Sequence, residues 1–238
     1  LYNIVDRIFV GHINEIGSLA LAGLGVTFPI IIFIGAFSAL LGTGGAPRAA
    51  IAMGCNDNER AEKILGNCTM MLIICSIILS VFFMITKDKI LIMFGASENT
   101  LPYASSYITI YLIGTMFLQL TLGLNAFITN QGFTKTSMIT ICIGAVLNII
   151  LDPIFIFVFH LGVQGAALAT IISQGISCIW VLKFLTGNKT HIKIRIKNLR
   201  LSKQIVFLVI SLGISPFVMQ STDCFIQLVF NNGMLKYG

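Results

Sequence analysis

The chain has 238 residues, 56% of them hydrophobic and only 10% charged, at a mean hydropathy of +0.94. That excludes an ordinary water-soluble domain, because several apolar runs reach the roughly 20 residues a helix needs to cross a bilayer core. The net charge of +6 lies beside those runs, so it points to membrane topology and away from nucleic acid.

A partial first span is expected at 1–10, then full spans near 19–47, 63–86, 101–127, 137–159, 164–186 and 204–230. The breaks between them carry turn residues: GHINEIGS, GCNDNERAE, TKDK with GASENTLP, TNQGFTKT, HLGVQG and TGNKTHIKIRIKNLRLSK. Apolar runs of this length, lacking alternation, satisfy their backbone as helices, so the fold class is an all-α polytopic membrane protein. Pro29 predicts a tilt or bend in the second span. The apolar segments are too long for a signal peptide and lack its cleavage site. Residue 1 is Leu, a helix is already under way at LYNIVDRIFVG, and NNGMLKYG follows the last span closely. The expectation is a fragment cut inside its first helix and shortly after its last.

Charge then sets the orientation. The loops after spans two, four and six, with their margins, carry Arg48, Arg60, Lys63, Lys135, Lys183, Lys189, Lys193, Arg195, Lys197, Arg200 and Lys203, eleven of the fifteen basic residues. The opposite side carries Lys87, Lys89 and Lys236. The positive-inside rule therefore makes the amino terminus and the 187–203 loop cytoplasmic. Within that loop, HIKIRIK (191–197) alternates isoleucine with basic residues, as a segment lying on anionic headgroups would. Its place after six helices suggests a linker between two halves.

The ionisable residues inside the apolar runs are the functional candidates, because a carboxylate at bilayer depth costs roughly 2.5–3.5 kcal/mol or more. Asp6, Asp152 and Asp223 are three such acids. Asn148 and Asp152 stand one turn apart on one helix face, in a run without a basic residue, and Pro153 frees a nearby carbonyl. This is a small polar site walled by hydrocarbon, suited to a proton or a small cation; the alternative is an uncharged Asp152 bonded to a neighbouring helix. Tyr2 and Asp6 share the same spacing, with Arg7 about 100° further round; the alternative there is a simple Asp6–Arg7 pair. Thr170, Ser173, Gln174 and Ser177 form a polar stripe among small residues, which reads chiefly as close helix packing. STDCFIQLVF (221–230) loosely echoes IVDRIFVGHI (4–13), so Asp223 hints at a second, repeated half starting at span seven.

Other chemistries fit less well. GTGGAPR (42–48) lacks the Lys-Ser/Thr and preceding strand of a phosphate loop and is read as close backbone packing. No Gly-x-Gly-Asp precedes any acid, against an intramembrane aspartyl protease. The six cysteines form no CxxC pair and read as packing residues. No enzyme activity, structural metal or organic cofactor is expected.

Taken in order, LYNIVDRIFVG, GTGGAPRAAIAMG followed by AEKIL, NQGFTKTSM and NIILDPIFI resemble the multidrug and toxic compound extrusion (MATE) family, in its bacterial multidrug-export branch. The resemblance implies a six-helix amino-terminal lobe over 1–187, a cytoplasmic basic linker over 188–203, and the first helix of a carboxy-terminal lobe over 204–238. It implies a coupling-cation site at Asp6, Asn148, Asp152 and Thr170, with Tyr2 and Asn125 lining the substrate cavity. Asn130 and Phe133 replace an Arg and an Asp usual in that pattern, and Arg7 replaces a small polar residue, which bears on the choice of ion.

The function implied is secondary active efflux of organic cations and drugs, by antiport with Na⁺ or H⁺, from a multi-pass position in the plasma (inner) membrane. The partners implied are those substrates, the ion, anionic lipid at the 189–203 loop, and the carboxy-terminal lobe of the same chain. Two alternatives stay open. A lipid-linked oligosaccharide flippase of related architecture calls for a more cationic cavity, and a non-transporting scaffold would tolerate replacement of the acids.

Overall fold

A computed structural model of the chain describes residues 2–13 and 17–237, with side chains described for 5–13, 17–231 and 233. Among them every regular element is a helix: α1 (Tyr2–Gly11), α2 (Gly17–Gly54), α3 (Asn58–Met93), α4 (Leu101–Ile113), α5 (Thr115–Asn130), α6 (Thr134–Pro153), α7 (Gly162–Thr186) and α8 (Lys203–Tyr237). Five are long and apolar enough to cross a membrane, or six if α4 and α5 form one broken span. Large apolar side chains such as Ile85, Val158, Phe207 and Met219 stand exposed on the outer faces, as lipid-facing surface requires.

The second span runs as one helix through both Pro29 and Pro47. One expectation about helix shape changes: the fourth span is broken, with α4 and α5 meeting at Gly114 with a 58° bend. Gly114 has no side chain because Ile171 of α7 fills that space, 2.5 Å from where a Cβ would lie. Ser80 of α3 donates to the Leu112 carbonyl at the break, at 2.8 Å, so a weakened backbone is satisfied by a neighbouring helix.

Glycines set the spacing of the helices around α2. A Cβ on Gly42 would meet the Gly123 backbone of α5 at 2.8 Å. One on Gly44 would meet the Val209 carbonyl and Gly213 of α8, and one on Gly45 would meet Cys68 and Phe127. The GTGGAPR glycines are therefore packing positions that let three neighbours approach one helix. Between α2 and α5 the buried Gln119 adds polar contacts, accepting from Ser38 Oγ at 2.7 Å and donating to the Ile34 carbonyl at 2.8 Å.

After Pro153 the chain continues as a π-helical turn over Ile154–Val158. Proline supplies no N–H, and Phe159 N–H reaches back five residues to the Ile154 carbonyl at 3.0 Å. The turn ends at His160 and Gly162, both at φ 54°, where the chain reverses into α7. Gly165 packs against the Phe155 carbonyl group, 2.7 Å from the place of a Cβ. The π turn is thus braced directly behind the end of α6.

The segment joining α7 to α8 is built into the bundle. Gln131 Oε1 accepts from Thr190 Oγ1, His191 N and Ile192 N at 2.7, 3.0 and 3.2 Å. Glu62 holds Arg195 Nε at 2.7 Å, and Asn67 Oδ1 accepts from Ser202 N at 2.7 Å. Ile192 is fully buried, whereas a 3₁₀ turn at Ile196–Asn198 leaves Ile196 88% exposed. The isoleucine–basic alternation therefore does not form one membrane-facing edge, because Ile192 serves the protein interior.

Candidate functional site

Asp6, Asn148, Asp152 and Thr170, from α1, α6 and α7, meet in one hydrogen-bonded cluster, and all are buried. Asn148 Nδ2 lies 3.1 Å from Asp6 Oδ1, 3.1 Å from Asp152 Oδ1 and 3.3 Å from Thr170 Oγ1. Thr170 Oγ1 lies 3.2 and 3.0 Å from the two oxygens of Asp6. The spacing of Asn148 and Asp152 along α6 sets the contact between those two, as the sequence predicts. The others require that α1 and α7 flank the same face.

A fifth member is Tyr107 of α4, fully buried, whose hydroxyl donates to Asp6 Oδ2 at 2.7 Å. Sequence reasoning misses it, because a tyrosine in LPYASSYITIYLI reads as ordinary core. The signal available was its hydroxyl, which needs a partner when buried in lipid. The Gly114 break ends α4 one turn beyond Tyr111, which stacks on Tyr107 with ring centroids 6.0 Å apart.

Donors are scarce in this cluster. Two amide hydrogens of Asn148 face three oxygens, and the single Thr170 proton faces two. Asn148 Oδ1 and Asp152 Oδ2 are buried with no hydrogen-bond partner. Neither acid has an ion-pair partner among the described residues. A pair of acids with one unsatisfied carboxylate oxygen on Asp152 and one unsatisfied amide oxygen on Asn148, walled by hydrocarbon, is completed chemically by a proton or by a small cation that prefers oxygen ligands.

Arg7 does not pair with Asp6. Its guanidinium carbon lies 4.9 Å from the centre of the Phe28 ring, so the simple Asp6–Arg7 pair is not formed. Asn125 on α5 stands apart from the cluster. It donates weakly to the Ser137 carbonyl at 3.4 Å, and it lines a cavity of about 270 Å³ with Tyr111, Gln174 and Thr170. Its Oδ1 and the Gln174 Oε1 are buried without partners. Thr170 touches both cavity and cluster. Asp223 lies exposed on α8, outside the cluster, and the Tyr2 side chain falls outside the described residues. Ser173 and Ser177 are buried in the α7 stripe, where Ser177 bonds the Thr140 carbonyl of α6 at 3.3 Å, in keeping with helix packing.

A bundle of apolar helices around buried acids that lack basic partners defines a multi-pass membrane protein with polar chemistry at its centre. The chain belongs to the MatE family, whose model matches residues 1–154. It is 29% identical over its whole length to the multidrug export protein MepA of Staphylococcus haemolyticus, covering 52% of that protein. It is 28% identical to MepA of Staphylococcus aureus, again over 52% of it. Among solved structures, the inward-facing conformation of a multidrug resistance MATE family transporter aligns over 95% of this chain at a TM-score of 0.90 and 25% identity. The outward-facing conformation of such a transporter aligns over 92% at 0.84 and 26%. The chain spans about half the length of these relatives.

Tyr107 gives the direct test of the cluster's construction. Tyr107→Phe keeps the ring and removes one of the donors to Asp6, a loss of about 1–3 kcal/mol where a buried charged acceptor is involved. The unfolding midpoint of the chain in detergent should fall, and more at low than at high Na⁺ if a cation can replace the lost donor. An unchanged midpoint at every Na⁺ concentration would contradict the arrangement.

Proposed function

We propose that the chain is the ion-coupling half of a secondary active exporter of organic cations and drugs, working by antiport with Na⁺ or H⁺. The observation that carries this reading is the donor-poor cluster of Asp6, Asn148, Asp152 and Thr170, two of whose buried acceptors have no partner. The coupling ion enters that cluster and neutralises it. Tyr107 and Asn148 hold the carboxylates in place while α1 adjusts. The neighbouring cavity at Asn125 and Gln174 takes the substrate, which Thr170 links to the ion. A lipophilic cation there loses its electrostatic attraction once the acids are neutral, and leaves outward. The proteins it resembles are described as multidrug export proteins, in accord with this substrate class. A flippase for lipid-linked oligosaccharide would call for basic side chains in the cavity, and none lines it.

In this reading 1–187 form the amino-terminal lobe, 188–203 the linker and 204–238 the first helix of a second lobe, which supplies the rest of the substrate path. Asp223 belongs to that second lobe. The membrane is the bacterial inner membrane. The bundle end bearing the linker is cytoplasmic, where exposed Lys189, Lys197 and Arg200 meet anionic headgroups.

Orientation is tested by cysteine labelling in a cysteine-free background. A cysteine at 189 should react only from the cytoplasm and one at 97 only from outside; the reverse pattern contradicts the topology.

Coupling is tested in a whole transporter carrying this chain as its first half. Asp152→Asn keeps the shape of the side chain but not its charge, and should abolish ion-driven efflux at matched expression. Asn148→Ala and Thr170→Val remove neutral oxygens, and should weaken Na⁺ dependence more than H⁺ dependence if Na⁺ is the ion. Wild-type efflux by Asp152→Asn would refute the assignment and favour a packing role, since removing a buried acid is then neutral or stabilising.

A further inference from the structure

The end of the bundle that carries the linker contains a second site, separate from the acid cluster. A cleft of about 420 Å³ opens between the last two turns of α2, the first turns of α3 and the start of α8. Its polar wall holds Arg48, Arg60, Lys63 and Ser202, and its apolar floor includes Ile205 and Leu208. These cations are poorly neutralised. Arg48 Nε is buried with no hydrogen-bond partner, an expensive state for a guanidinium. Arg60 makes no ion pair among the described residues. Lys63 pairs with Glu59 at 2.8 Å, but that pair is exposed and worth little. The acid in the wall, Asp57, is engaged in capping α3 through Arg60 N at 3.0 Å.

We propose that this cleft binds the phosphate of an anionic phospholipid, with the guanidinium groups of Arg48 and Arg60 on the headgroup and an acyl chain along Ile205 and Leu208. Guanidinium is the side chain best suited to a phosphate, since its planar fork donates two parallel hydrogen bonds. A buried, unpartnered Nε gains an acceptor on binding. The apolar floor distinguishes a lipid from a free phosphate, which would have no use for it. The position suits a lipid also, because Arg48 lies one to two turns inside the end of a helix long and apolar enough to cross a membrane. Bound there, the phosphate joins α2 and α3 to Ser202, the residue before α8. Headgroup charge would then govern how firmly α8 is held to the bundle. This site does not depend on the transport reading, and it is distinct from the looser headgroup contact of Lys189, Lys197 and Arg200.

The test uses the chain purified in uncharged detergent, titrated with dioctanoyl phosphatidylglycerol. Dioctanoyl phosphatidylcholine and inorganic phosphate are run in parallel. Bound lipid is counted by native mass spectrometry, and protection is read from the unfolding midpoint. Phosphatidylglycerol should bind saturably and more tightly than phosphatidylcholine. Each of Arg48→Gln and Arg60→Gln should weaken it about fivefold, and the pair roughly 25-fold, as expected for one surface charge each. A triple Gln variant at Lys189, Lys197 and Arg200 should leave it within about twofold. Phosphatidylglycerol binding retained by the double Arg variant, or lost only in the triple variant, would overturn the proposal. Inorganic phosphate protecting with the same Arg dependence, while phosphatidylglycerol fails to compete, would overturn the lipid in favour of a free anion. Should the double variant not fold, Gln204→Glu adds a repelling charge at the exposed rim of the cleft. Undiminished lipid binding by that variant would equally overturn the site.

Discussion

The structure depends on one shared group, the side-chain amide of Asn148, which reaches carboxylates on two different helices. It lies 3.1 Å from both Asp6 and Asp152. Each carboxylate buried in hydrocarbon carries an effective penalty of several kcal/mol unless it is paired or neutralised. No basic side chain relieves either acid among the described residues. Neutral donors from three helices, Tyr107 of α4, Asn148 of α6 and Thr170 of α7, hold the pair together without a basic partner. A site built in this way leaves both acids without a basic partner, which a fixed salt bridge would supply.

Two backbone irregularities bear on that site. The break at Gly114 lets α4 approach α1 and place Tyr107 on Asp6, while Ser80 satisfies the disturbed backbone. Pro153 turns the end of α6 into a π turn immediately after Asp152, braced by Gly165 of α7. α7 brings Thr170 to the acids and carries a packed stripe of small and hydroxylated residues beside it. Away from the site the same economy of small residues operates, with Gly44 and Gly213 bringing α2 and α8 into backbone contact.

Much of this was legible in the chain itself, for a physical reason. An acid or amide within a long apolar run is costly, so Asp6, Asn148 and Asp152 stand out against their surroundings before any fold is known, whereas Thr170 sat in a stripe that read as packing and was singled out only by the family resemblance. Their mutual contact was half legible: Asn148 and Asp152 share a helix face by spacing, but the approach of α1 and α7 follows only from packing. Tyr107 was hidden because a tyrosine among apolar residues is common core, and its role appears only when its hydroxyl finds Asp6. The bend at Gly114 was hidden because a lone glycine in an apolar run signals close packing as readily as a break. The alternation in HIKIRIK says nothing of Gln131 and Glu62, both distant in sequence, which draw Ile192 inward and fix Arg195. The Asp6–Arg7 pair was reasonable from adjacency, yet Arg7 finds the Phe28 face instead.

The central claim is that Asp6 and Asp152 act as one acceptor for one coupling cation. Its most direct test is calorimetric titration of the purified chain with NaCl, against choline chloride, with proton exchange recorded in buffers of different ionisation heat. The account predicts saturable uptake of a single cation, seen as Na⁺ binding or as a proton-linked heat. Asp6→Asn and Asp152→Asn should each abolish it, and Asp223→Asn should leave it intact. Wild-type titration curves from both cluster variants, with the proteins folded, would contradict the account.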